Sequence, residues 1–281
     1  MIRALLAAGL FLMPFPALAA QPGIGAWENS NYTMLSWIEE GSSFSWYYNW
    51  RPDQLWEKRR RSRTVEFVPM IHNPSDVNKK IVSDLPVSTL LGFNEPDAGA
   101  SKGRGLPVEK AIALWPKLEA RGLRLGSPAT MQSGTLGKNS WQRRFMDQVE
   151  AKGLRVDFMA VHYYSTNGSV RDFEKWLRKV HAEYKRPIWV TEFAYIDWSR
   201  PQSVSYAQNA TFAQAAIQMM ERLPFVERHA WFAANPDVEN GRHPKINLVD
   251  DKLRPTPIGT AYERAVSRIT GRQASLRSEP R

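Results

Sequence analysis

The stretch LLGFNEPD, residues 90–97, is apolar as far as Phe93, turns polar at Asn94 and Glu95, and stops at Pro96. A strand that needed only burial would end in turn residues. This one carries a carboxylate to the edge of a sheet. The chain repeats the pattern: β-rich runs are expected at GIGAWE (23–28), SFSWYYNW (43–50), TVEFVPM (64–70), TLLGFNE (89–95), RLGSPA (124–129), VDFMAVHYY (156–164), PIWVTEFA (187–194) and ERHAWFA (227–233). Most are short, apolar and bounded by Gly, Pro or polar clusters, as strands buried on both faces are. Between them the spacing predicts helices. Ala111, Ile112, Trp115 and Leu118 share one side of 108–118, and Phe173, Trp176, Leu177 and Val180 share one side of 170–184. Residues 206–223 make a third helix, and 33–40 leave room for a short one. Eight strands with helical crossovers over about 250 residues predict a single-domain α/β fold, a (β/α)8 TIM barrel. The rival, an open doubly wound sheet, favours a glycine-rich phosphate turn after its first strand, and GIGAWENS is not one.

The ends of the chain read differently. Arg3, an apolar run from Ala4 to Phe15 and the small residues Ala17-Leu18-Ala19 make residues 1–20 a secretory signal. That run is too short for a stable spanning helix, so no membrane insertion is expected once the signal is cleaved. The mature chain is expected to be exported, to the periplasm or outside the cell, as a monomer. Residues 21–266 hold the barrel, and 267–281, poor in apolar residues, are expected to be a basic, mobile tail. Without cysteine, thiol nucleophiles and cysteine-bound zinc are excluded. Basic residues outnumber acidic ones 38 to 28. The densest run, KRRRSR at 58–63, comes without a nucleic-acid-binding motif and reads as a solvated helix end, so no nucleic-acid partner is expected. Many of the eleven tryptophans and nine tyrosines are expected in the core, but that many flat amphipathic rings also suits a sugar-binding cleft.

In such a barrel, function lies at the C-terminal ends of the strands. Those ends carry Tyr48, Asn49 and Trp50 on the second, Asn94 and Glu95 on the fourth, His162 and Tyr164 on the sixth, Glu192 on the seventh and Trp231 on the eighth. Two carboxylates among aromatics and amides suggest glycosidic-bond hydrolysis, in which one protonates the leaving oxygen and the other supports or attacks the anomeric carbon. Glu95 and Glu192 stand 97 positions apart, or three βα units of about 32 residues. A single glutamate at a strand end is commonly an ion-pair partner; the two together on these strands favour catalysis. The negative Glu192 is expected to raise the pKa of Glu95. His162, with His72, His229 and His243 elsewhere, forms no H-E-x-x-H pattern, so no metal and no cofactor are expected.

The motifs GFNEPD (92–97), LGSPA (125–129), VDFMAVHYY (156–164) and PIWVTEFA (187–194), in that order, resemble glycoside hydrolase family 128. GIGAWE, SWYYNW, FVPM and the closing segment INLVDDKLRPTPIGTAYERA (246–265) extend the resemblance over 23–266. It implies a barrel that hydrolyses β-1,3-glucan with net retention, with Glu95 as general acid/base and Glu192 as nucleophile. It further implies that Asn94 bonds the sugar 2-hydroxyl and that Tyr48, Trp50, Tyr164 and Trp231 form sugar platforms. From its own place at a strand end, His162 is expected to bond the substrate or a catalytic glutamate. Two departures flank the cleft. The loop after Asp97 is AGASKGRG, with Lys102 and Arg104, and the family's His-Trp-Tyr becomes His162-Tyr163-Tyr164. A glycan-binding barrel without turnover and a retaining hydrolase of another polysaccharide remain the alternatives.

Overall fold

The computed structural model describes residues 20–57, 63–99, 105–236 and 244–278, without the side chains of 270 and 272–278. Most of the signal segment, most of the basic run at 58–63, the Lys102/Arg104 loop and His243 lie outside the described residues. Eight parallel strands follow one another: β1 (Gln21–Gly25), β2 (Trp46–Tyr48), β3 (Glu66–Phe67), β4 (Thr89–Leu90), β5 (Arg124–Leu125), β6 (Met159–Ser165), β7 (Ile188–Tyr195) and β8 (Val226–Trp231). Ladders join them in the order β3-β2-β1-β8-β7-β6, with β4-β5 as a separate pair. Single parallel bridges span the two gaps, Met70 to Leu91 beyond β3 and β4, and Gly126 to Phe158 beyond β5 and before β6. The architecture is a single α/β domain, TIM-barrel-like in its strand order, whose pairing thins to isolated bridges at two places.

Six α-helices occur among the described residues, where eight strands would call for eight: α1 (Met34–Glu40), α2 (Val108–Glu119), α3 (Trp141–Lys152), α4 (Val170–Tyr184), α5 (Tyr206–Met220) and α6 (Pro257–Ser278). The β3–β4 connection holds a 3₁₀ turn, Pro74–Asp76, in place of a helix. Side chains fix the helix starts. The Ser140, Ser169 and Ser205 hydroxyls accept from the backbone N–H three residues on, and Gln208 completes a capping box with Ser205. The segment expected to begin a tail at Ser267 instead continues α6. The reason is periodic: Tyr262, Val266 and Ile269 all stay buried, so the apolar stripe outlasts the expected boundary.

The sheet separates two apolar layers. The outer one lies between strands and helices; the inner one holds Trp46, Tyr48, Val68, Met70, Leu91, Phe158, Ala160, Trp189 and Ala230. Alternation along each strand sorts them: Tyr47 faces out between Trp46 and Tyr48, and Met159 faces out between Phe158 and Ala160. The inner layer is built of stacked rings. Trp189 lies 4.2 Å from Phe158 and 5.4 Å from Trp46, with the Arg228 guanidinium 4.2 Å above it. Such bulk fits because β1 contributes glycine: a Cβ on Gly23 would stand 2.3 Å from the Trp46 indole. Trp189→Ala is expected to cost about 3–5 kcal/mol by opening a cavity among these rings. Thermal denaturation should register it as a fall of roughly 10 °C.

Candidate active site

β4 and β7 bring the two glutamates to one place by different backbone devices. Beyond β4, Asn94 bridges to Ala129 and the Glu95 N–H donates to the Ala129 carbonyl at 2.7 Å. Glu95 itself has a φ of 39°, a left-handed conformation that side-chain-bearing residues rarely adopt, and Trp50 beyond β2 has a φ of 58°. Both hold strained backbone where their side chains must be aimed. In β7 the device is a register shift. Val161 of β6 pairs with Val190, but His162 pairs with Glu192, skipping Thr191. Val190 and Phe193 both face the outer layer although they stand three positions apart, which strict alternation forbids. The extra residue turns Glu192 inward, beside His162.

There Glu192 collects donors. Trp50 Nε1 donates to its Oε1 at 2.9 Å, and the Tyr164 hydroxyl donates to its Oε2. His162 Nδ1 lies 3.0 Å from Glu95 Oε1 and 3.4 Å from Glu192 Oε2, between the two carboxylates. One oxygen of each glutamate and a nitrogen of His162 all fall within 4.8 Å of one another. The environments differ: the Glu192 side chain is 5% exposed, that of Glu95 29%. Burial holds the Glu192 carboxyl above the usual range, against the pull of His162 and of its two donors. Burial pushes Glu95 up as well, but the hydrogen bond and charge of His162, aided by His72, outweigh it and leave Glu95 below the usual range. For His162, burial favours the neutral ring, and its Nε2 has no partner; the charges of Glu192, Glu95 and Asp97 prevail and raise it. The expected order, with Glu95 raised by Glu192, is therefore reversed in the free site. The imidazole interposed between the carboxylates lowers Glu95 where like-charge repulsion alone would have raised it.

A cavity of about 950 Å³ opens over this group, lined among others by Trp50, Asn94, Glu95, Tyr164 and Glu192. Asn94 Oδ1 is buried there without a hydrogen-bond partner. His162 is wholly buried behind the glutamates and meets them rather than the open cleft. Two expected platforms lie elsewhere. Tyr48 is fully buried beneath Trp50, and its hydroxyl donates to the Thr191 carbonyl at 2.8 Å. Trp231 faces outward, packing on Phe193 and Tyr262 and donating to the Ile246 carbonyl at 2.7 Å. Strand alternation explains the second correction: Ala230 points in, Trp231 out, and Phe232 is the aromatic that lines the cleft. The sequence reading also passes over Met131, Gln132, Trp176 and Trp198, which line the same cavity from loops and from α4. Met131 and Gln132 had a legible signal, lying just past the LGSPA run. Gln132 Oε1 accepts from the Tyr164 N–H at 3.1 Å, while Asp97 Oδ1 accepts from the Met131 N–H at 2.9 Å, so the β4, β5 and β6 ends are tied together.

Two carboxylates and an imidazole this close could also hold a divalent cation, and they are the group of such donors that converges among the described residues. Their oxygens are already engaged, however: Trp50 and Tyr164 point protons at Glu192 and His162 Nδ1 hydrogen-bonds Glu95, and a cation would have to displace these contacts. Dialysis against a chelator is accordingly expected to leave the thermal midpoint unchanged. A fall restored by added Mn²⁺ or Zn²⁺ would reveal an ion in this position.

The family model described as glycosyl hydrolase catalytic core matches residues 24–262. Alkali-sensitive linkage protein 1 of Schizosaccharomyces pombe (strain 972 / ATCC 24843) is 29% identical over 226 residues, and the chain spans 40% of the length of that curated relative while the match covers 78% of the chain. Among solved structures, a variant of a GH128 (subgroup I) endo-β-1,3-glucanase from Amycolatopsis mediterranei, in complex with laminarihexaose, is 32% identical, with a TM-score of 0.73 over 87% of this chain and 99% of that one. A GH128 (subgroup V) exo-β-1,3-glucanase from Cryptococcus neoformans is 25% identical, with a TM-score of 0.71 over 88% and 99%. With a paired-glutamate cleft in a barrel-like fold and these matches along nearly all the described chain, the protein is a glycoside hydrolase and belongs to glycoside hydrolase family 128.

Proposed function

We propose that the chain is an exported, monomeric endo-β-1,3-glucanase that acts with net retention from a closed (β/α)8 barrel. The observation that carries the reading is the approach of one oxygen of Glu95 and one of Glu192 to within 4.8 Å. Retaining pairs stand about 5–5.5 Å apart, whereas inverting pairs need roughly 6.5–9.5 Å to admit a water. The substrate class is supported by the laminari-oligosaccharides bound to the Amycolatopsis enzyme, and endo action by the greater identity to that endo-enzyme than to the Cryptococcus exo-enzyme.

Glu192 is the nucleophile: Trp50 and Tyr164 hold its two oxygens in place and stabilise its anion. Glu95, more open to the cleft, is the acid. A sugar ring laid across it strips its remaining water and pushes its pKa up. The proton then passes from His162 to Glu95 along the existing 3.0 Å hydrogen bond without change of net charge. Glu95 protonates the glycosidic oxygen as Glu192 bonds to the anomeric carbon, releasing one chain and leaving a glycosyl ester. Esterified Glu192 carries no charge, so Glu95 is free to take a proton from water, which attacks the same carbon and restores both groups. Asn94, with its unpartnered Oδ1 in the cleft, accepts from a sugar hydroxyl.

Glu95→Gln is expected to lose about 10²–10⁴-fold in kcat on laminarin, as loss of general acid catalysis does, and Glu192→Gln still more. NMR of the first-formed product should show the β-anomer; the α-anomer would refute retention. His162→Ala tests the proton path. In the wild type, activity falls as pH rises through the raised pKa of His162, because the proton destined for Glu95 is then lost. Without the imidazole the proton must reside on a carboxyl, which releases it at lower pH. The basic limb of the kcat/KM profile should therefore move to lower pH, whereas a purely structural role would lower the rate and leave the limb where it was.

A further inference from the structure

Five large apolar side chains are exposed among the described residues: Tyr32, Trp56, Val82, Met131 and Trp198. Their distribution is not scattered. Met131 and Trp198 line the catalytic cavity, and the other three line a second cavity of about 810 Å³ formed by the loops that follow β1, β2 and β3. Apolar surface gathered in this way marks a contact site, whereas singly scattered residues need no explanation. Trp56 is 55% exposed and Tyr32 47%, and their rings meet edge to face, 5.0 Å apart at 85°, so they form an open corner with two aromatic faces.

The polar lining selects among ligands. Four carboxylates face this cavity against two guanidiniums, so despite the basic character of the whole chain its own lining does not favour a polyanion. Arg51 is already paired with two of those carboxylates. Gln54 and Asp84 form a planar hydrogen-bonding edge: the Gln54 amide donates to Asp84 Oδ2 at 2.7 Å and its oxygen accepts from the Asp84 N–H at 2.7 Å. Flat aromatic faces for C–H surfaces, beside amide and carboxylate groups for hydroxyls, fit a neutral polyhydroxyl chain. The two cavities share the loop after β2, for Trp50 lines the catalytic one and Arg51 the other.

We propose that this second cavity is an auxiliary glycan-binding site, which holds a further stretch of the neutral polysaccharide while the cleft cuts another. The inference rests on the glucanase reading and extends it from the bond cleaved to the polymer engaged. A second contact raises the effective concentration of a long substrate at the cleft but adds nothing for a substrate too short to use it. Trp56→Ala and Tyr32→Ala should therefore lower kcat/KM on curdlan at least about five-fold and leave hydrolysis of laminaripentaose unchanged, with the thermal midpoint preserved. In native gels containing laminarin, Glu192→Gln protein should be retarded, and adding Trp56→Ala should weaken that retardation. An equal fall on both substrates, or no fall on curdlan, overturns the auxiliary site while the glucanase reading stands. Wild-type protein that cleaves neither substrate overturns the glucanase reading itself and this inference with it.

Discussion

Between Val190 and Phe193 the two faces of β7 fall out of step, and the site depends on that slip. Val190 must face the helices to pack in the outer layer, and so must Phe193, which meets Phe173 and Trp231. Glu192 can face the cleft between them only because the pairing with β6 skips a residue. An unpaired residue in a ladder leaves backbone groups to satisfy, and here the structure does so from the opposite wall: the Thr191 carbonyl accepts the Tyr48 hydroxyl. Tyr48 thereby has a role other than the sugar platform expected of it. It holds the distorted strand that aims Glu192.

The same slip sets the electrostatics. Once Glu192 lies opposite His162, and Glu95 reaches the same nitrogen from β4, one buried imidazole answers to two carboxylates. Burial alone would raise both glutamates. The imidazole separates them, lowering Glu95 and leaving Glu192 high.

Much of the architecture was legible because burial on both faces leaves a strong mark. Each of the eight strands falls on one of the expected short apolar runs, and α2, α4 and α5 follow their apolar stripes closely. The misses have equally physical causes. α3, WQRRFMDQVEAK, is so rich in charge that its apolar face is thin, and its clearest signals are the Ser140 cap and the left-handed Gly153 at its end. α6 outlasts its expected end because Ile269 still finds the core. Trp231 was placed in the cleft one residue too early, since a run of consecutive aromatics, Trp231 and Phe232, does not itself say which member faces in.

By itself the sequence determined that short strands alternate with helices and that one glutamate follows the fourth strand and another belongs to the seventh. Those features are written in local composition, because burial and turn chemistry act on neighbouring residues. Only the tertiary structure decided which way Glu192 points, that His162 lies between the two carboxylates, and that Phe232 rather than Trp231 meets the cleft. Each of these turns on the phase of one strand against another. That phase is set by packing across the sheet, between residues far apart in the chain, and a one-residue shift in it sends a side chain to the opposite face.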